Sequence, residues 1–165
     1  MKKILLILFF ALSNSSFAQE LFLYEFDETL TLEIPDDAEE GELQDVTFVR
    51  GLIDDGYITV TKDKLTTGVV DLKDFNNEAF FEGIKNGVLK KSKGAILKDA
   101  IMEIDGVKVL HLTFSLEMEK ELKVVEMFAF VKKHSSYLIQ LLEFKKDSDT
   151  FKTTKERIVN SINIQ

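Results

Sequence analysis

The side chains that most often carry acid–base or nucleophilic chemistry are scarce in this sequence. It has no cysteine, so thiolate zinc sites and cysteine nucleophiles are excluded, and its only histidines are His111 and His134. His111 alternates with Val109 and Thr113 in an apolar run, which is typical of a sheet residue that is hydrogen-bonded or exposed at an edge. His134 precedes Ser135, but adjacent side chains on a tight turn rarely reach hydrogen-bond geometry. We therefore expect neither histidine to be catalytic.

Motifs for nucleotide binding and serine hydrolysis are also absent. None of the eight glycines belongs to a Gly-x-Gly-x-x-Gly or phosphate-loop pattern, and no serine lies in a Gly-x-Ser-x-Gly elbow. The sequence therefore predicts no catalytic residue and no cofactor. A hydrolase with scattered carboxylates is the enzymatic alternative that stays open, because paired acids can converge from distant positions.

The densest cluster of candidate metal ligands is acidic and consists of Asp36, Asp37, Glu39, Glu40 and Glu42. Calcium is the ion to consider because oxygen ligands are the ones available, but the spacing of these residues matches no calcium loop. A solvated acidic loop over residues 36–42 is the preferred interpretation. Calcium binding and docking onto a basic partner are the alternatives, and we predict no metal site.

A group of lysines is brought together by predicted topology rather than by a motif. The start of a strand at 122–132 and the end of a strand at 136–144 are neighbours in a hairpin, so one end of the sheet carries Lys120, Lys123, Lys145 and Lys146. The same end carries Glu117, Glu119 and Glu121, which favours a solvated rim of ion pairs. These four lysines are the candidate binding residues, and contact with an anionic surface is the hypothesis that they support.

The first eighteen residues have the order of a secretory signal peptide. Lys2 and Lys3 precede an apolar run over residues 4–12, and a polar stretch ending in small residues leads to a cut between Ala18 and Gln19. The run is shorter than the roughly 20 residues that span a bilayer. The absence of cysteine excludes a bacterial lipoprotein anchor. The sequence thus predicts an exported protein, periplasmic or extracellular, with no membrane span after cleavage.

Charge is distributed unevenly along the mature chain. Removing eighteen residues and their two lysines leaves 147 residues with 19 basic and 29 acidic side chains, a net charge of −10. Residues 19–49 hold eleven of the acids and no lysine or arginine, while the rest is nearly neutral. Nucleic-acid binding would need a concentrated basic face to overcome this repulsion, and none is evident. The expected partner is another protein.

The first part of the mature chain has the pattern of strands. Residues 29–35 alternate apolar and polar side chains up to Pro35, the chain's only proline, and residues 21–26 suggest an earlier short strand. A hairpin is predicted from residues 46–53 and 57–62, joined across Asp54-Asp55-Gly56. This region is therefore expected to be sheet.

A helix is predicted over residues 76–92. Asp74, Asn76 and Asn77 offer N-cap oxygens, and apolar residues recur at helical spacing up to Gly94. Gly83 and Gly87 lie on adjacent turns, where each glycine costs about 1 kcal/mol relative to alanine. Close packing of this helix onto a sheet is the favoured explanation, and a ligand approaching the glycines is the alternative.

The second half of the chain predicts an antiparallel meander followed by a helix. Strands are expected at 96–104, 107–118, 122–132 and 136–144, and the 122–132 strand is apolar on both faces. Thr153 and Glu156 fit a capping box before a last amphipathic helix.

This order of elements, with the ending Glu156-Arg157-Ile158-Val159-Asn160-Ser161-Ile162, resembles the PsbP-like α/β/α sandwich superfamily. That superfamily includes the extrinsic subunit of photosystem II, a nuclear-transport GTPase-binding factor and many exported bacterial proteins. The resemblance implies one α+β domain over 19–165, with an antiparallel sheet and two main helices; the acidic segment at 19–49 follows from the charge count. It implies a binding or assembly module and no catalytic residue.

The preferred function is accordingly a non-enzymatic adaptor or assembly module. Such a protein would use its sheet edge or its acidic front to bind another envelope or secreted protein. A carrier of an apolar small ligand is the alternative, because the chain holds fourteen phenylalanines. A hydrolase is the third and least favoured reading.

Overall fold

The computed structural model describes residues 20–65 and 75–165. The predicted signal peptide and its cut between Ala18 and Gln19 lie outside these residues, as does the alternative cap Asp74. The described elements are β1 (Leu21–Glu25), β2 (Leu30–Pro35), β3 (Glu39–Leu43), β4 (Val46–Ile53), β5 (Gly56–Lys64), α1 (Asn77–Ser92), β6 (Ile96–Ile104), β7 (Val107–Met118), β8 (Glu121–Lys132), β9 (Ser135–Glu143), α2 (Asp149–Ser161) and β10 (Asn163–Ile164).

The strands form two antiparallel sheets. The large sheet has seven strands in the order β3-β4-β5-β9-β8-β7-β6, and the small sheet has the order β1-β2-β10. The predicted hairpins and the four-strand meander are confirmed, with β7 paired to β8 and β8 to β9 along most of their lengths. The fold class is therefore α+β with two main helices, as expected.

The large sheet is covered on both faces. Helix α1 lies against one face, while α2 and the small sheet lie against the other. Strand β8 passes between the two layers, with Phe128 and Phe130 buried beneath α2 and Met127 and Ala129 buried on the side of α1. Its two apolar faces are thus explained by burial on both sides.

Local signals place the ends of α1 as expected. The Asn76 side-chain oxygen accepts a hydrogen bond from the Ala79 N–H at 2.9 Å, which caps the helix start. At the other end Lys93 adopts a left-handed conformation with φ of 54°. Gly94 follows, and its backbone lies so close to Ser115 that a Cβ would be 1.9 Å from the Ser115 carbonyl oxygen. Gly94 is therefore required for packing rather than for helix termination.

The predicted capping box of α2 is wrong. The cap is Ser148, whose Oγ accepts a hydrogen bond from the Phe151 N–H at 3.3 Å. Thr153 lies inside the helix and donates its hydroxyl to the Asp149 carbonyl. The helix starts earlier than the capping box implies because Ser148 is itself held by a hydrogen bond to the Asp55 carboxylate at 2.7 Å, a contact between distant parts of the chain.

The predicted acidic loop over residues 36–42 is also wrong in part. Residues 36–37 form a turn, but Glu39–Leu43 is strand β3, which pairs with β4 at the edge of the large sheet. Its glutamates face solvent, so it lacks the apolar alternation that identifies a half-buried strand. Gly41 accommodates the Phe48 ring, which would lie 2.5 Å from a Cβ there. Pairing with β4 therefore decides this strand.

Candidate functional site

The four predicted lysines lie at one end of the large sheet, but only three of them share a surface. Lys123, Lys145 and Lys146 line a groove of about 900 Å³ together with apolar residues such as Leu97 and Leu122. Lys120 sits in the β7–β8 turn with φ of 68° and does not line this groove. The structure thus assembles a subset of the predicted group.

Ion pairing at this end is partial. Lys123 contacts the Glu121 carboxylate and donates to the Phe144 carbonyl oxygen at 2.7 Å, and the hydrogen bond from Lys123 lowers the pKa of Glu121. Within the described residues, Lys145 and Lys146 have no ion-pair partner. The expected rim of paired charges is therefore found at Lys123, and contact of the other lysines with an anionic surface stays a prediction.

His111 belongs to a charged cluster that joins α2 to the sheet. Its Nε2 lies 2.6 Å from Glu126 Oε1, and Lys155 of α2 donates to Glu126 Oε2 at 2.6 Å. The His111 ring stacks on Phe128 with centroids 4.5 Å apart. Burial opposes ionisation of Glu126, but the bonds from Lys155 and His111 outweigh it and lower the pKa of the carboxyl. A carboxylate held in this way anchors the helix.

Sequence reasoning missed the partners of His111. The available signal was Glu126 itself, a charged residue within the otherwise apolar run of β8. A carboxylate at a part-buried strand position needs a partner, because burying an unpaired charge is costly. The sequence predicts that His111 is a sheet residue that is hydrogen-bonded or exposed at an edge. The bond to Glu126 is its hydrogen bond.

A second cluster that sequence reasoning missed lies beside β2. Asp27 Oδ1 accepts from the N–H groups of Thr29 and Leu30, while Oδ2 accepts from Lys62 Nζ at 2.6 Å and from the Tyr137 hydroxyl at 2.8 Å. Burial opposes ionisation of Asp27, but these bonds lower its pKa; burial and Asp27 together raise the pKa of Tyr137. The polar side chains of this cluster are joined by hydrogen bonds through Asp27, which is typical of a structural network.

The remaining candidates have structural surroundings. His134 occupies the β8–β9 turn with φ of 61°. Across residues 20–65 and 75–165, no three acidic or histidine side chains converge in a way that would hold a metal ion. The acidic residues at 39–42 instead line the outer edge of β3.

A cavity of about 350 Å³, open to solvent on one side, lies between part of α1 and the large sheet. Ile84 and Val88 of α1 form one wall, and the floor is apolar, formed by Phe114, Leu116, Met127 and Leu138. Helix α1 buries only Phe81 among its apolar side chains. This end of the helix therefore does not fill the space above the sheet.

The two glycines of α1 border this cavity, and the expectation of close packing at them is wrong. Apart from chain neighbours and the backbone of α1 itself, no atom of the described residues lies within 4 Å of the position that a Cβ would occupy on Gly83 or on Gly87. Close approach of another backbone therefore cannot explain them. Their lack of side chains instead enlarges the cavity.

The two edges of the large sheet differ in length and composition. Strand β6 has nine residues, and Leu97, Ile101 and Met102 are 58%, 57% and 38% exposed. Strand β3 has five residues, of which three are glutamates. Charged, short edges resist pairing with other chains, whereas long apolar edges favour it. No other described strand pairs with the outer side of β6.

The hairpin register shows which groups β6 offers. Asp105 and Gly106 both have positive φ, as in a type I′ turn, so Ile104 and Val107 form the hydrogen-bonded pair that closes the hairpin. By the alternation of antiparallel ladders, Asp99, Ile101 and Glu103 direct their backbone N–H and C=O groups away from β7. These groups are available to another strand.

Among the described helices, neither is long and apolar enough to cross a membrane.

Comparison with known proteins gives a structural likeness only. No protein-family model and no curated protein matches this sequence. Among solved structures, the solution structure of cyanobacterial PsbP (CyanoP) from Synechocystis matches with a TM-score of 0.63 and 14% identity, covering 92% of this chain and 96% of that one.

Two further structures agree with this likeness. LpqN of Mycobacterium tuberculosis, described as involved in cell envelope biogenesis, matches with a TM-score of 0.53 and 13% identity over 96% of both chains. PA94 of Pseudomonas aeruginosa, described as a protein of unknown function, matches with a TM-score of 0.54 and 13% identity over 85% of this chain and 94% of that one. At such low sequence identities, the structural likeness shows the fold alone. The chain has the PsbP-like fold.

Proposed function

We propose that the protein is an exported, non-enzymatic binding module that takes an extended segment of another envelope or secreted protein along strand β6. The observation that carries this proposal is the free edge of the large sheet, nine residues long and exposed at Leu97, Ile101 and Met102. Pairing along such an edge draws its affinity from main-chain hydrogen bonds and its specificity from alternate side chains.

The chemistry of β6 suits this role on both of its faces. Ile101 shares the α1 side of the sheet with Asp99, whose carboxylate is paired with Lys85 of α1 at 2.8 Å. Lys98 and Met102 lie on the opposite side and remain open to solvent. A partner strand would therefore meet an apolar centre flanked by charges, which sets its register.

The fold likeness supports the class of function in a limited way. LpqN is described as acting in envelope biogenesis, and none of the three matching structures is described by a catalytic activity. Export itself rests on residues 1–18 of the sequence.

The experiment compares proline substitutions at the two edges. By the register of the hairpin, the Ile101 N–H points away from β7, and no other described strand pairs there. In Ile101→Pro the β6–β7 ladder is therefore retained while an outer strand loses a hydrogen bond. Glu40→Pro is the matched control. By the register of the β3–β4 hairpin, the backbone N–H of Glu40 likewise points away from the neighbouring strand, β4. Ile101→Ala separates loss of the side chain from loss of the N–H.

The mature variants would be crosslinked in native cells, and the crosslinked peptides would be mapped by mass spectrometry. We expect crosslinks from β6 to one partner, at least tenfold reduced in Ile101→Pro and retained in Glu40→Pro. Circular dichroism and the urea midpoint verify that both variants fold. Equal capture by folded Ile101→Pro, or crosslinks that avoid β6, would rule out the edge as the binding site.

A further inference from the structure

The cavity between α1 and the large sheet has the size and lining of a small-molecule site. Its volume of about 350 Å³ falls within the range of about 300–1,000 Å³ typical of ligand pockets. Its walls are mostly apolar, with Met127 and Leu138 among the floor residues. It lies on the α1 face, apart from the β6 edge.

The glycines above this cavity have no structural explanation in the packing of the helix. Gly83 and Gly87 each weaken α1 by about 1 kcal/mol relative to alanine. Since no described residue outside the backbone of α1 lies within 4 Å of either Cβ position, an alanine would fit at both places. Side chains there would project into the space that the cavity occupies.

The polar groups of the cavity indicate the charge of an occupant. Among the described residues that line it, Lys91 is the only charged one and none is a carboxylate, and Lys91 has no ion-pair partner in this part of the chain. The buried Ser92 hydroxyl accepts the Gly94 N–H at 3.1 Å, and its proton has no acceptor within the described part of the chain. The other polar side chain in the lining is the neutral Gln140, whose amide donates to Met127 Sδ at 3.5 Å. A largely apolar site with one cation and a free hydroxyl proton complements a ligand with a single anionic group.

We propose that this cavity binds a single-chain anionic amphiphile of the fatty-acid class. The hydrocarbon chain lies between α1 and the floor formed by β7, β8 and β9, beneath Gly83 and Gly87. The carboxylate lies at the C-terminal end of α1, where Lys91 contacts it and Ser92 is in a position to donate a hydrogen bond. This activity is independent of strand pairing at β6.

Calorimetric titration of the mature protein with fatty acids below their micellar concentrations tests the proposal. We expect one saturable site for dodecanoate, with affinity rising about fourfold for each methylene added from octanoate until the cavity is full. Dodecyltrimethylammonium, which has the same chain and the opposite charge, should bind at least tenfold more weakly.

Substitutions separate this site from helix stability. Gly87→Leu fills the cavity and removes a helix-weakening glycine, so it should abolish dodecanoate binding while the thermal midpoint is maintained or raised. Lys91→Gln should weaken dodecanoate binding about fivefold or more and leave dodecanol binding unchanged. Lys90→Gln is the matched control, because Lys90 occupies the same last turn but does not line the cavity.

Three outcomes would overturn the proposal. They are the absence of saturable dodecanoate binding, undiminished binding by folded Gly87→Leu, and equal affinity for the cationic and anionic amphiphiles. If Lys91 only offsets the helix dipole of α1, Lys91→Gln and Lys90→Gln will lower the stability equally and leave the affinity for dodecanoate unchanged. That result would contradict a contact between Lys91 and the carboxylate of the ligand. Ile101→Pro should bind dodecanoate normally, so failure of edge pairing and failure of this site are distinguishable.

Discussion

The two faces of the large sheet are packed very differently. Among the described residues, the core beneath α2 and the small sheet contains nineteen buried apolar side chains, whereas the core beneath α1 contains seven and adjoins a cavity. The charged clusters around Asp27 and Glu126 belong to the α2 face as well. One face therefore supplies most of the stability, and the other has space left for binding.

The cause of this difference lies in what covers each face. Helix α2 buries Phe151 and Ile158 and is joined on its side by β1, β2 and β10. On the other face, α1 is the only described element that packs onto the sheet, and it buries only Phe81 among its apolar residues. A single helix with so narrow a buried stripe cannot fill the surface of seven strands.

The largest expected effect is a difference between matched isoleucine substitutions in the two helices. Ile158→Ala removes a fully buried side chain from α2 and should lower the free energy of unfolding by about 2–5 kcal/mol. Ile84→Ala removes a half-buried side chain next to an existing cavity in α1 and should cost about 1 kcal/mol. Urea denaturation measures both, and equal losses would contradict the asymmetry of the faces.

A glycine on the α2 face should tolerate no side chain. In Gly56→Ala, the new Cβ would lie 2.0 Å from the Phe151 ring and 2.6 Å from the Leu142 carbonyl oxygen. We expect a loss of about 1–3 kcal/mol, because Phe151 or the β9 backbone must move. The urea midpoint measures this loss, and an unchanged midpoint would show that the α2 face is as loosely packed as the α1 face.

Acid sensitivity should reside on the α2 face. Asp27→Asn replaces a carboxylate that accepts hydrogen bonds from Lys62 and Tyr137, and we expect a loss of about 1–2 kcal/mol at neutral pH. Because the folded pKa of Asp27 is lowered, the unfolded chain takes up the proton first as the pH falls. The stabilisation is therefore complete above about pH 4–5, the range of an ordinary aspartate, and is lost as the pH falls through the folded pKa.

Urea titrations from pH 7 to pH 2 measure this effect. The wild type should lose stability more steeply below about pH 4 than Asp27→Asn. Glu126→Gln should likewise make the loss of stability with falling pH less steep. Burial opposes ionisation of Glu126, but the hydrogen bonds from Lys155 and His111 lower its pKa. Identical slopes in wild type and both variants would exclude these carboxylates as the source of acid sensitivity.

The smallest expected effect is a gain in stability on the α1 face. Gly83→Ala and Gly87→Ala should each raise the free energy of unfolding by about 0.5–1 kcal/mol, because alanine favours the helix and meets no neighbouring atom. Gly56→Ala should instead lower the free energy of unfolding, so the three glycine variants can be compared as one series. A loss of stability at Gly83 or Gly87 would show that α1 lies closer to the sheet than described.

Local sequence patterns predicted those elements whose burial follows a simple period. Strand β2 was recognised by the alternation of Leu30, Leu32 and Ile34, which are all buried. Strand β8 was recognised by apolar side chains on both faces, and α1 by its cap at Asn76. In each case the signal is carried by residues that are neighbours along the chain.

Features that depend on distant residues were not predicted. Strand β3 exists because β4 pairs with it, and its glutamates carry no apolar alternation. Asp27 meets Lys62 and Tyr137 across separations of 35 and 110 residues. The sequence singles out Gly83 and Gly87 but favours close packing over an approaching ligand, because the open space around them cannot be read from their spacing.

The amino-acid sequence by itself determined the acidic character of the chain, the order of its two helices and of its strands apart from β3 and β10, and the lack of cysteine chemistry, because these follow from composition and short-range periodicity. Only the tertiary structure decided that β6 is a free edge, that β3 is a charged one, and that α1 leaves a cavity above the sheet. An edge exists where a strand has no neighbouring strand, and a cavity exists where two surfaces do not come into contact. Those outcomes depend on contacts over the whole chain, which no local pattern contains.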